Sequence, residues 1–310
     1  MAYEVALRTS VPIILLLGLG YLSRKNDLLK EGDERVLNAY VYYFALPALF
    51  IADLAETRFS REHVIFTFTG VIPIILILGI YSLLYLVLKL SRKTFYLLVV
   101  TTIFGSTAFF GIPFLMFALP IVSEKPAALA AATISIVSVS ISLAFLETYS
   151  LKASGLRRSM AIIFKRLSRN PLVISILVGL LISLLNINIP QPLSTVLHML
   201  GNTTATIAIF LLGVILHGRR YNRLKEAFGL SLLRILVLPT ISLFTSLLIG
   251  LPMLERTVLI IMHSVPLAVS MVILSDHYDF HKEIVSTVVL LSSLAASIYL
   301  NIWLLISVSL

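Results

Sequence analysis

The chain of 310 residues contains no cysteine, which removes disulfides, thiolate catalysis and cysteine-based metal sites together. It is also poor in charge: Asp, Glu, Lys and Arg make up 13% of it, where soluble proteins use about 25%. Neither an H-E-x-x-H zinc signature nor a Walker loop occurs, and no apolar run carries the paired aspartates of an intramembrane protease. No metal, no cofactor and no enzyme chemistry are expected on these grounds. What the chain has in excess is apolar surface, with 59% hydrophobic residues and a mean hydropathy of +1.02. A water-soluble body could not hide so much of it. The chain reads as an all-α integral membrane protein.

Apolar runs near the ~20 residues that cross a bilayer fall at about 4–23, 36–54, 63–88, 95–119, 127–151, 171–189, 192–216, 227–250, 256–275 and 284–308, ten in all. The first run is followed, not preceded, by Arg24-Lys25 and has no A-x-A site, so it reads as a retained helix rather than a signal peptide. Lys and Arg alternate between connections. Eighteen lie in 24–35, 89–93, 152–169, 219–225 and at Lys282, against five in the opposite set, Arg8, Arg58, Arg61, Lys125 and Arg256. The positive-inside rule then places the basic loops in the cytoplasm and both termini outside, in a multi-pass protein of the cell membrane. The net charge of +9 is absorbed as an orientation signal in a chain whose surroundings are the lipid bilayer, and no nucleic-acid surface is expected.

The longest basic connection falls near the middle of the chain. It divides a first five-helix repeat, 1–152, from a cytoplasmic basic linker, 153–170, and a second five-helix repeat, 171–310. Because five is odd, the second repeat starts from the opposite face, so the two are expected to be inverted. The fourth span of each half is interrupted, in Phe104-Gly105-Ser106-Thr107-Ala108-Phe109-Phe110-Gly111-Ile112-Pro113 and in His263-Ser264-Val265-Pro266-Leu267-Ala268-Val269-Ser270. Proline removes a backbone donor and clashes with the preceding turn, so both segments should kink or unwind. In a bilayer, freed backbone groups are tolerated only when buried in protein or lining a wet cavity. Paired interruptions in corresponding halves point to a transporter's binding site near the midplane.

Several segments resemble one family in order along the chain. Leu37-Asn38 with Val41, Tyr43 and Ala45-Leu46-Pro47-Ala48-Leu49-Phe50 is similar to its second span, and Phe104-Gly105 through Gly111-Ile112-Pro113 to its fourth. Asn170-Pro171-Leu172 with Gly179-Leu180 resembles the sixth, Ala208-Ile209-Phe210-Leu211-Leu212-Gly213 the seventh, Arg234 through Pro239 the eighth and Pro266-Leu267-Ala268 the ninth. The family is that of the auxin efflux carriers and their prokaryotic relatives, in the superfamily of the bile acid sodium symporters. The resemblance implies ten helices in two inverted repeats, with broken helices four and nine crossing. It implies a scaffold from spans 1, 2, 6 and 7, often dimeric, and a mobile transport domain from spans 3–5 and 8–10, working as an elevator on a small organic anion. The chain departs from the family pattern at Ser106 and Ser270, where asparagine is usual. A hydroxyl has one donor where an amide has two.

Half-helix N-termini at the breaks offer unpaired N–H groups and partial positive charge, which suits a carboxylate. Ser106, Thr107, Gly111, Pro113, Ser264, Pro266 and Ser270 are therefore the leading substrate-binding candidates, although small residues also serve close helix packing. Asn202 and Thr203 in span seven and Tyr43 in span two are further candidates for lining the path, with interhelical hydrogen bonding as the other reading. Intramembrane charges are functional candidates by default. Glu147 stands about 7.5 Å and Arg234 about 13 Å from the cytoplasmic edge at helical rise, and the two are expected to pair or share a polar network with a coupling role. Snorkelling is the alternative for Glu147. His263 beside the second break is a conceivable proton-coupling group, or a histidine in a polar helix contact. Asp276, His277, Asp279 and His281 have metal-like spacing but read as a solvated turn.

Taken together these features predict a secondary carrier of a small organic anion, a carboxylate, by alternating access. A non-transporting membrane sensor or a channel of the same fold is the rival.

Overall fold

The computed structural model describes residues 2–56, 60–150, 165, 168–218 and 222–310. Most of the basic linker 153–170, and the side chains of Asp276 and His277, lie outside the described residues. Local chemistry sets several helix starts. Ser91 Oγ accepts the Thr94 N–H at 3.1 Å to open α4, Arg92–Ile103. Asn170 accepts the Leu172 N–H at 2.9 Å and is followed by Pro171, whose missing donor costs nothing in a first turn, to open α7, Pro171–Leu184.

The remaining helices are α1, Ala2–Lys25; α2, Glu34–Ala55; α3, Arg61–Val87; α5, Thr107–Ala118; α6, Glu124–Ser150; α8, Gln191–Leu216; α9, Leu224–Ile249; α10, Met253–Ser264; α11, Ser270–His277; and α12, Lys282–Ser309. Among the described residues there is no strand. Six helices, α2, α3, α6, α8, α9 and α12, are long and apolar enough to cross a membrane, while α5 and α7 are apolar but shorter. The expected spans at 95–119 and 256–275 are each divided, into α4 and α5 and into α10 and α11.

Two prolines are absorbed by widened turns. Val41–Ala45 within α2 and Thr107–Gly111 at the start of α5 are π-helical, and they directly precede the turns carrying Pro47 and Pro113. A proline ring collides with the carbonyl four residues back, and a wider turn moves that carbonyl aside.

The chain forms two compact units. Unit 1 comprises Met1–Thr67, Ala108–Ala132 and Arg169–Arg219. In it α1 and α5 pack on α8, and α2 packs on α7 and α8. The α1–α8 contact is a backbone approach: a Cβ on Gly20 would collide with the Phe210 carbonyl, and one on Gly213 with the Leu17 carbonyl. Lipid gives helices no hydrophobic reason to associate, so close van der Waals contact through small residues carries such an interface. Unit 2 comprises Phe68–Thr107, Thr133–Ser168 and Arg220–Leu310. There α9 packs on α4, α10 and α12, and α12 on α10 and α11. Its apolar core gathers Val100, Phe104, Leu146, Leu267, Met271 and Val288, among others, around the ends of the broken helices.

Candidate functional site

Within unit 2 the interruptions after α4 and α10 meet. Gly105 and Leu267 form an antiparallel bridge. The Ser106 N–H donates to the Pro266 carbonyl at 2.9 Å, and the Ala268 N–H to the Phe104 carbonyl at 3.0 Å. The Leu267 N–H donates to Ser292 Oγ of α12 at 3.3 Å. Two lengths of unwound backbone thus satisfy one another deep inside a helical body. An unsatisfied backbone group in lipid costs several kcal/mol, so this pairing is what makes a double interruption tolerable.

Arg234 of α9 completes the arrangement. Its side chain is 1% exposed. Nε donates to the Val265 carbonyl at 2.7 Å, and a second guanidinium nitrogen donates to the Thr102 carbonyl. Thr102 is in the last turn of α4 and Val265 caps α10, so one side chain holds both helix ends. Gly105 is required here because a Cβ would meet the Arg234 guanidinium and the Val265 side chain. Tyr81 of α3, itself bonded to Thr102 Oγ1 at 2.9 Å, lies within electrostatic reach of Arg234, as do Tyr299 of α12 and His263.

The expected site residues separate between the two units. Ser106, Thr107, Ser264, Pro266 and Ser270 lie at the paired breaks of unit 2. Ser106 is buried and Ser270, the first residue of α11, is exposed. Among the described residues neither serine hydroxyl holds a protein partner. Thr107 and Ser264 are engaged: Thr107 Oγ1 bonds Ser135 Oγ at 2.6 Å, and Ser264 Oγ donates to the Ile260 carbonyl at 2.6 Å. Gly111 and Pro113 fall in unit 1, on α5, and both are buried. Tyr43, Asn202 and Thr203 are also in unit 1. Tyr43 is 59% exposed and Asn202 is exposed, while Thr203 bonds the Tyr40 hydroxyl at 3.0 Å and the Leu200 carbonyl at 2.7 Å. Thr203 therefore shows the interhelical bonding that was its other reading.

Glu147 and Arg234 do not meet. Glu147 is buried and accepts a hydrogen bond from Tyr278 Oη, whereas Arg234 is spent on carbonyls. His263 is fully buried, with Nε2 on the Gly70 carbonyl of α3 at 2.9 Å and Nδ1 without a partner. Asp279 is exposed and pairs with Lys282 at 2.9 Å, and among the described residues no group is placed to hold a metal ion. Sequence reasoning missed Ser292, Ser135 and Thr102. The one available signal was their hydroxyls in otherwise apolar runs.

Apolar helices of membrane length around a buried, hydrogen-bonded double break define a multi-pass membrane protein. The family model described as a membrane transport protein matches residues 5–151 and 122–304, and the chain belongs to that family, the auxin efflux carriers. An uncharacterised transporter of Methanocaldococcus jannaschii is 24% identical over 94% of this chain and 95% of its own. A protein of Rhizobium meliloti provisionally named a malonate transporter is 24% identical over 92% and 90%. The uncharacterised transporter YfdV of Escherichia coli is 22% identical over 96% of each.

Proposed function

We propose that this membrane transporter is a secondary carrier of a small organic anion, a carboxylate, bound at the paired breaks after α4 and α10. The observation that carries the reading is the pairing itself: unwound backbone bonded across the two interruptions, with the hydroxyls of Ser106 and Ser270 left over. The name of the Rhizobium meliloti relative supports a dicarboxylate such as malonate as the first substrate to try. Pro266, Thr107 and Ser264 shape the break, while Gly111, Pro113, Tyr43, Asn202 and Thr203 enter as unit 1 candidates to be tested by substitution.

The division into two compact units supports an elevator, with unit 1, which holds spans 1, 2, 6 and 7 together with Ala108–Ala132, as static scaffold and unit 2 as transport domain. Helix packing supports the inverted repeat. Exchanging the halves exchanges α1 with α7 and α2 with α8, which turns the α1–α8 contact into the α2–α7 contact. In the same way Arg234 of span eight touches span four while His263 of span nine touches span three. Dimerisation through the scaffold spans and external termini complete the proposal.

The test is flux into proteoliposomes of the purified full-length chain. A carrier predicts saturable uptake of labelled malonate or a related carboxylate, accelerated by the same anion inside. Unsaturable flux at channel rates, or none with any small carboxylate, contradicts it.

A further inference from the structure

We infer that the Arg234 guanidinium is a built-in cation at the paired breaks, occupying the place between half-helix ends where a sodium-coupled carrier takes up its ion. The last carbonyls of any helix lack intrahelical partners, and each helix C-terminus carries about −0.5 of a charge. In secondary transporters, unwound carbonyls and half-helix C-terminal ends are what coordinate the coupling cation. Here α4 and α10 bring two such ends to one point, together worth about one negative charge. One guanidinium balances it, and its planar fork reaches both carbonyls at once, Val265 through Nε and Thr102 through a terminal nitrogen.

The burial of Arg234 makes the balance necessary. An uncompensated charge in such a place costs several kcal/mol, and no described ion pair includes Arg234. The other groups that face it, Tyr81, Tyr299 and His263 from α3, α12 and α10, include no carboxylate. Its compensation is therefore the two helix ends. Gly105 supports the same assignment, since the absence of a Cβ is what leaves room for the guanidinium. The inference rests on the carrier reading for its consequence: with the cation built in, anion binding and transport require no sodium.

Thermal unfolding of the purified full-length protein, in sodium chloride and in choline chloride of equal ionic strength, tests this. The wild type unfolds at the same midpoint in both salts. Arg234→Met unfolds at a lower midpoint, which sodium raises relative to choline and which guanidinium ion, at concentrations far below denaturing, also raises. Arg234→Lys keeps the charge and remains indifferent to sodium. Stabilisation of the wild type or of Arg234→Lys by sodium over choline overturns the assignment, as does an Arg234→Met midpoint that is unchanged or that responds to neither cation. Should Arg234→Met not fold, the wild type and Arg234→Lys decide alone. Failure of the carrier reading would show differently, as missing anion flux with these cation responses intact.

Discussion

Gly105 lacks a side chain because Arg234 leaves no space for one. Adding a methyl group there pushes on a guanidinium that two carbonyls hold in place, and on the Val265 side chain 2.9 Å away. Gly105→Ala is expected to cost about 1–3 kcal/mol, the usual penalty of forced overpacking. Its unfolding midpoint in detergent should fall clearly below that of Gly229→Ala, whose added methyl meets nothing within 4 Å and which gains helix propensity. His281, between α11 and α12, gives a pH prediction. Burial first, then Lys93 and Arg223, holds its imidazole below the ordinary value. The folded state therefore favours the neutral ring, and this contribution is complete above about pH 6.5 and declines as pH falls below it. Amide exchange at the start of α12 should accelerate on acidification beyond its intrinsic pH dependence. His281→Asn, which also tolerates the positive φ of 42° at this position, should lose that response. At this scale the sequence was half legible. Arg234 stood out as a lone charge in an apolar run, but its partners did not, because backbone carbonyls carry no residue identity. The expected partner, Glu147, is instead bonded to Tyr278, a residue type with no distinguishing mark in a membrane protein.

Among whole elements, the interruptions were the most readable feature. Proline clustered with glycine and serine in an apolar run breaks the helical ladder, and both runs are divided where those residues occur. The pairing of one break with the other was not readable, since an antiparallel bridge between Gly105 and Leu267 depends on backbone direction alone. Nor were the π turns at Val41–Ala45 and Thr107–Gly111, which depend on a carbonyl's position relative to a proline four residues on. The α1–α8 contact gives a prediction at this scale. Gly20→Leu or Gly213→Leu drives a side chain into a backbone carbonyl that cannot yield. Either variant should lower the unfolding midpoint and increase amide exchange in α1 and α8, whereas Gly79→Leu, with open space at its Cβ, should neither lower the midpoint nor increase that exchange.

For the molecule as a whole, the apolar runs carried the all-helical architecture, in which six helices are long and apolar enough to cross a membrane. The membership of the family was also legible, because its motifs recur in order along the chain. Division into two compact units was not visible in composition, since both units are built from apolar helices drawn from both halves of the chain. The absence of native cysteine makes orientation directly measurable. Single cysteines at Lys30 and Lys89 should react with an impermeant maleimide only after permeabilisation of cells, and one at Lys125 should react without it. The reverse pattern contradicts external termini. The paired breaks as anion site face a more direct measurement: thermal unfolding of the purified protein against a series of mono- and dicarboxylates with neutral controls. A ligand at a hundred times its Kd stabilises by about 2.7 kcal/mol, and a hydrogen bond to a charged group is worth about 1.5–3 kcal/mol. A carboxylate should therefore raise the wild-type midpoint, and Ser106→Ala or Ser270→Ala should weaken its apparent affinity about tenfold or more. Undiminished stabilisation by the best carboxylate in both variants would place the anion elsewhere.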